Sequence, residues 1–218
     1  SSAASDVYKR QLIYILQTYS GMLLESLGQT MLMTLLSLIF AFIIGLVFGL
    51  MNVGKNRALN FIGTFYVDAV RGVPLIVLAY FIYFGVPAAI KAAGFTNFKL
   101  TALQAGTIAL SMNAGAYMAE IFRAGIQSVD KGQMEAARSL GLGYGKAMQK
   151  VVLPQAIRTM VPSIINQFII SLKDTSILSV IGFPELTKAG NIIVGNTFAV
   201  AQVWGVVAIM YMLSLIHI

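Results

Sequence analysis

An all-α membrane protein with five transmembrane helices is what this sequence predicts, on three observations. The 218-residue chain is 58% hydrophobic and only 11% charged, whereas soluble domains carry about 25% charged residues. Uncharged stretches run unbroken over residues 26–54, 72–90, 100–119, 159–172 and 189–218, and a helix crosses a hydrocarbon core of about 30 Å with roughly 20 apolar residues. The shortest, 159–172, spans with Arg158 and Lys173 snorkelling or facing protein. The net charge is +7, from 15 basic and 8 acidic side chains. In so apolar a chain, that excess points to loops facing anionic lipid, not to nucleic acid. Continuous apolar runs also exclude a membrane β-barrel, whose strands alternate.

The spans follow in order. The first covers about 28–53 and carries Gly45 and Gly49, a small-residue pair for close helix packing. Lys55 and Arg57 lie in the short loop after it. The second covers about 66–90, starts with Asp68 and Arg71, breaks at Gly72-Val73-Pro74 and ends at Pro87 and Lys91. A polar loop, Gly94–Lys99, precedes a third span at about 100–121. Residues 122–152 are rich in charge. The fourth span covers about 154–180 with Pro162 inside it, and Ile181–Lys188 is a loop or short re-entrant segment. The fifth covers about 192–216. Residues 1–19 read as an N-terminal extracytoplasmic segment, and 20–218 as one membrane domain. Ser1–Gln11 is polar and lacks an initiating Met, and the last span has no basic anchor after it. The chain is therefore expected to be a fragment or to carry non-native sequence at one or both ends, and His217 is expected to have no role.

Lys and Arg set the orientation. Lys55, Arg57, Arg123, Lys131, Arg138, Lys146, Lys150 and Arg158 lie on one side. Lys91, Lys99, Lys173 and Lys188 lie on the other. The positive-inside rule puts 122–152 in the cytoplasm. Five spans then leave the N-terminus outside and the C-terminus inside.

Several chemistries are excluded. No cysteine is present, which removes thiol nucleophiles and zinc fingers, and a single histidine disfavours metal sites and a Ser-His-Asp triad. No metal, cofactor or catalytic residue is expected. Gly145-Lys146 resembles the end of a Walker A loop, but Leu140 and Ala147 stand where that loop needs Gly and Ser or Thr. The chain therefore lacks a nucleotide site of its own.

The stretch about 131–152 carries the most information. Glu135-Ala136-Ala137-Arg138-Ser139-Leu140 are good helix formers, Gly141-Leu142-Gly143-Tyr144-Gly145 makes a turn, and Lys146–Val152 resumes a helix. A helical elbow with Ala136-Ala137 on one face suits a groove in another protein, and Glu135 suits a basic partner there.

Glu-Ala-Ala, three residues, Gly, nine residues, a β-branched residue, one residue and Leu-Pro resembles the signature of membrane subunits of bacterial ABC importers. Arg71-Gly72-Val73-Pro74-Leu75, Asn113-Ala114-Gly115-Ala116-Tyr117 leading to Glu120-Ile121-Phe122-Arg123, Gly132-Gln133, Leu153-Pro154-Gln155-Ala156 and Leu172-Lys173-Asp174-Thr175-Ser176 resemble the polar-amino-acid uptake permeases. The match runs from about residue 20 to 205. It implies the type I ABC importer permease fold in the bacterial cytoplasmic membrane and a dimer with a second permease, identical or not. It also implies two ATP-binding cassette ATPase subunits and an extracytoplasmic solute-binding protein. Glu135, Ala136, Ala137, Ser139, Leu140 and Gly141 would form the coupling helix, with ATP hydrolysis in the partner subunit driving alternating access. Relatives usually end in a basic cytoplasmic tail, which this chain lacks. Relatives carry different amino acids, and the sequence does not single one out.

Polar residues within spans mark a candidate substrate path. Lys173 and Asp174, with the hydroxyls of Thr175 and Ser176, offer both charges that a zwitterionic amino acid needs; the alternative is a pair of solvated interface charges. Arg71 either binds a substrate carboxylate or pairs with Asp68, three residues before it. Asn113 either lines the path or bonds between helices. Glu120 and Arg123 read as a local pair, and Tyr117 and Trp204 as packing. A secondary transporter or channel lacks its expected inverted repeats here, and an intramembrane enzyme lacks a nucleophile–base pair.

Overall fold

The computed structural model describes residues 2–95 and 97–216, and every regular element among them is helical. The helices are α1 (Ser2–Val53), α2 (Arg57–Arg71), α3 (Leu75–Tyr80), α4 (Val86–Ala92), α5 (Ala102–Gln127), α6 (Lys131–Ser139), α7 (Tyr144–Ala147), α8 (Leu153–Asp174), α9 (Leu186–Thr197) and α10 (Val200–Ile216). Single π-helical turns, Phe81–Gly85 and Met148–Val152, join α3 to α4 and α7 to α8, and a 3₁₀ turn, Thr175–Ile181, follows α8. Asp6–Val53, Leu75–Ala92 and Tyr144–Ile181 are long and apolar enough to cross a membrane, and Val200–Leu215 is a shorter apolar helix.

Local chemistry explains the joints. Asn56 caps α2 by accepting from the Ala58 N–H at 2.9 Å. The break expected at Gly72-Val73-Pro74 separates α2 from α3. Pro87 does not end the second segment as expected. The preceding π turn widens the helix so that the Val86 N–H reaches Phe81 O, and α4 continues to Ala92. The same device precedes Pro154, where the Leu153 N–H reaches Met148 O. Proline lacks an N–H and its ring clashes with the carbonyl four residues back. An i→i−5 turn just before it fits that geometry.

The chain forms two compact units, each described separately. One contains residues up to Leu36, Leu75–Ala109 and the chain from Ile169 onward. In its core, Ile15 and Leu23 of α1 lie with Leu186, Ala189 and Ile193 of α9 and Val203 and Val207 of α10, joined by Tyr19 and Leu27. The sequence placed the start of the first span near 28, yet α1 begins at Ser2. Ile15, Tyr19, Leu23 and Leu27 recur every four residues along one helix face. Glu25, which is exposed, ended the uncharged run and hid that stripe. The fifth span expected at 192–216 is two helices. Phe198 takes a left-handed conformation, φ 56°, and its N–H closes α9 on Val194 O at 2.8 Å.

The other unit contains Ser37–Pro74 and Leu110–Phe168. Leu38 of α1, Met118 and Phe122 of α5, and Ala156 and Met160 of α8 form its core. Gly45 and Gly49 pack α1 directly on α5. A Cβ on Gly45 would overlap Met118, and one on Gly49 would lie 3.0 Å from Ala119 O. The small-residue pair therefore serves packing, as expected.

Candidate functional site

The elbow is built by self-contained caps. The Asp130 carboxylate accepts from the Gly132 N–H at 2.7 Å and starts α6. At the other end Gly141 takes φ +84°, a conformation that suits glycine. Its N–H reaches Arg138 O at 3.0 Å, and the Leu142 N–H reaches Ala137 O at 3.2 Å, the paired bonds of a Schellman motif. Ala137, Ala147 and Val152 are buried, which seats α6 on the helix that follows. Gln155 Nε2 donates to Gln133 Oε1 at 3.3 Å, and Lys55 Nζ lies 5.9 Å from the Tyr144 ring centroid. Of the six residues expected to form the coupling element, Ala137 is buried, whereas Glu135, Ala136, Ser139, Leu140 and Gly141 are exposed. Leu140 is 85% exposed. An apolar side chain is thus held out at the C-cap of α6.

Two of the expected path residues fall in the unit that carries the elbow. Arg71 ends α2, and its guanidinium lies over the Tyr117 ring at 5.1 Å and 3.9 Å from Glu120 Oε2. It turns to α5 and not to Asp68; the ion pairs among the described residues are those of Glu120 with Arg71 and Arg123. The expected Glu120–Arg123 pair is a two-pronged one, with Arg123 Nε to Oε1 at 3.0 Å and Nη2 to Oε2 at 2.9 Å. Asn113 is buried on α5. It shares a face with Tyr117 and Glu120, four and seven residues on. The structure thus gathers a polar face where the sequence had separate candidates.

Lys173, Asp174, Thr175 and Ser176 fall in the other unit. Lys173 is exposed and Asp174 half-buried at the last turn of α8. Thr175 Oγ1 donates to Leu172 O at 2.7 Å, and Ser176 Oγ to Lys173 O at 2.6 Å. Both hydroxyls spend their hydrogen on the backbone, so toward any ligand they offer acceptor lone pairs. The sequence had treated them as general polar contacts. His217 lies outside the described residues.

Residues 37–218 match the family model described as "Binding-protein-dependent transport system inner membrane component". The chain belongs to this family. Among its relatives, a probable glutamine ABC transporter permease protein, GlnM, of Bacillus subtilis is 37% identical over 88% of this chain and 86% of its own length. The glutamine transport system permease protein GlnP of Escherichia coli is 35% identical over 88% and 85%. The arginine transport system permease protein ArtQ of Bacillus subtilis is 37% identical over 76% and 73%. A solved structure titled as an amino acid ABC transporter with histidines superposes with a TM-score of 0.84 at 36% identity, covering 93% of this chain and 91% of that one. An inward-facing methionine transporter, MetNI, gives 0.72 at 23% identity over 89% and 91%, which speaks for the fold.

For an inner membrane component, the most unusual polar group is one that sequence reasoning passed over. Glu185, in the loop after the 3₁₀ turn, is fully buried. It accepts from the Thr187 N–H at 2.8 Å, the Lys188 N–H at 2.6 Å and the Tyr211 hydroxyl at 2.7 Å. A glutamate before Leu-Thr-Lys is the only signal the sequence offers, and it reads equally as a plain loop charge.

Proposed function

We propose that this chain is one half of the translocation path of an ATP-driven amino acid importer. It is the membrane permease subunit of an amino acid ABC importer in the bacterial inner membrane. Its cargo is a polar amino acid, a reading supported by relatives named for glutamine and arginine transport. ATP is hydrolysed in a partner cassette subunit, a solute-binding protein delivers the cargo outside, and a second permease completes the path. Five spans place the N-terminus outside and the elbow and C-terminus in the cytoplasm.

The observation that carries the reading is the elbow. Its caps close internally at Asp130 and Gly141 while Leu140 and Glu135 stay exposed. An element so rigid and so exposed transmits a push from a partner. A carrier without an ATPase would leave it without a task. Lys173, Asp174, Thr175 and Ser176 in one unit, and separately Arg71 and Asn113 in the other, are candidate polar groups for substrate. Asp174 and Lys173 match the two charges of an amino acid, and Arg71 offers a planar fork for its carboxylate.

The test co-expresses the chain with the ATPase from its own operon and reconstitutes the complex. Glu135→Lys and Gly141→Asp are expected to abolish assembly or transport-coupled hydrolysis while the permease stays folded. Uptake that continues unchanged without any ATPase would make a secondary transporter the correct reading.

A further inference from the structure

Where α1 turns into α2, the chain leaves a hollow of about 330 Å³ lined by Gly54, Lys55, Arg57, Asn60, Phe61 and Thr64. Its floor is tied down. Asn60 Nδ2 donates to Asn52 O at 2.8 Å, and Thr64 Oγ1 donates to Asn52 Oδ1 at 3.5 Å. Asn52 is buried, and a Cβ on Gly63 would overlap its side chain, so α2 lies hard against the end of α1. The rim is basic. Lys55 and Arg57 are exposed, and neither forms an ion pair among the described residues. The helix start itself has little to offer an anion. The N–H groups of Ala58 and Leu59 go to Asn56 Oδ1 and that of Asn60 to Asn56 O. Attraction for an anion therefore rests on the two side chains. The wall is apolar. Phe61 is 70% and Phe65 67% exposed, and their rings stack with centroids 6.4 Å apart. They continue the face of α2 that Arg57 begins, at steps of four residues and about 6 Å. Lys55 also borders the elbow, since its Nζ lies 5.9 Å from the centroid of the exposed Tyr144 ring on α7.

We propose that this hollow binds the phosphate of an acidic phospholipid from the leaflet on the elbow's side, and that the bound lipid acts on the elbow through Lys55. Two unpaired cations at a membrane surface attract acidic headgroups, and basic pockets between spans hold them. A neutral lipid would leave the two charges unanswered. A soluble phosphate would use the rim alone, whereas the exposed aromatic wall starts at the hollow and runs along α2 as an acyl chain would. An ammonium has three donors, so Lys55 can hold a phosphate oxygen and stay over the Tyr144 ring. The lipid then pins Lys55 and, with it, the first turn of α7. The binding site stands on the hollow alone. Its effect on hydrolysis rests on the reading of the elbow as the element that meets the ATPase.

The experiment titrates the intact permease–ATPase complex in mild detergent with dioleoyl phosphatidylglycerol or dioleoyl phosphatidylcholine and counts bound lipids by native mass spectrometry. Thermal unfolding midpoints confirm that each variant is folded. Wild type is expected to retain phosphatidylglycerol more strongly. Lys55→Gln and Arg57→Gln are each expected to weaken that binding about fivefold, and the pair roughly thirtyfold, the worth of basic side chains at an acidic membrane surface. Lys91→Gln with Lys99→Gln removes the same charge from the other side and is expected to change nothing. Equal binding by wild type, the hollow pair and this control would overturn the site. Phe61→Ser is expected to weaken both lipids. Displacement by glycerol 1-phosphate, with Phe61→Ser binding as wild type, would mark a plain phosphate site and overturn the lipid. In phosphatidylcholine nanodiscs, added phosphatidylglycerol is expected to raise coupled ATP hydrolysis about twofold or more. Tyr144→Leu is expected to bind the lipid and show no rise. A rise as steep as in wild type would overturn the route through Lys55 and keep the site. If Gly141→Asp hydrolyses ATP as wild type does, the elbow reading fails, and the lipid counts still decide the site.

Discussion

The elbow and the knot around Glu185 both start a helix with an acidic cap, yet they are built in opposite ways. Asp130 serves only its own turn, with a bond two residues long, and α6 is closed around Gly141 by bonds three and five residues long. Every cap of the elbow comes from the elbow. The start of α9 borrows Thr30 from 156 residues away and Tyr211 from 26 residues away. A locally satisfied element keeps its shape while a partner moves it. An element satisfied by distant helices keeps its shape only while those helices hold their places. The first construction suits an exposed lever, the second a fixed joint.

The comparison is broken most severely at Glu185. Glu185→Leu leaves the N–H groups of Thr187 and Lys188 without an acceptor and turns the Tyr211 hydroxyl onto Thr187 Oγ1 alone. The cap and the buried donors together should cost at least about 3 kcal/mol. The expected result is a loss of folded complex, seen as a collapsed size-exclusion peak in detergent. A normal yield would mean that α9 finds other acceptors and that the long-range tie matters little. At the elbow the matching injury is smaller. Gly141→Val forces a β-branched residue into φ +84°, a strain of about 1–2 kcal/mol. Nothing lies within 4 Å of a Cβ there, so the strain is the whole effect. Thermal unfolding should fall modestly, while coupled ATP hydrolysis falls steeply because the tip is misaimed. Asp130→Ala removes only a cap, about 1 kcal/mol, and Asp130→Asn should restore most of it. Hydrogen exchange at the α6 amides would register that change locally, with exchange in α9 untouched.

The same contrast explains what could be read from sequence. The helix, turn and second helix of the elbow were legible, because its helix formers and Gly141 act on residues within one or two turns; the cap at Asp130 was not read. The close packing at Gly45 and Gly49 was legible too, since a four-residue spacing of small residues is a local pattern. The early start of α1 was missed because Glu25 ended an uncharged run, although Ile15, Tyr19, Leu23 and Leu27 kept a helical period across it. The break at Phe198 had a signal in Gly195-Asn196 just before it, which was passed over; Phe198 itself is 85% exposed and takes its positive φ as the C-cap of α9. For Arg71 the sequence offered a substrate carboxylate or Asp68, because three-residue spacing is visible in a sequence, whereas the approach of α2 to Tyr117 and Glu120 is not. Glu185 was invisible for the same reason: its meaning lies in Tyr211 and in the neighbouring Thr30, which only the fold brings together.

Leu140 gives the mildest and sharpest test. At 85% exposure it contributes almost nothing to its own fold, so Leu140→Ser should change stability by no more than about 0.5 kcal/mol. A side chain that matters only to its own chain would then be silent. If the elbow is a docking surface, burying Leu140 in a partner groove is worth about 1.5–3 kcal/mol, and the serine should forfeit most of that. Pull-down of the co-expressed ATPase by the permease should weaken by roughly tenfold or more, while the isolated permease unfolds at its usual temperature. Retained binding with normal coupling would show that the exposed tip faces water, and the comparison with the buried knot would lose its functional half.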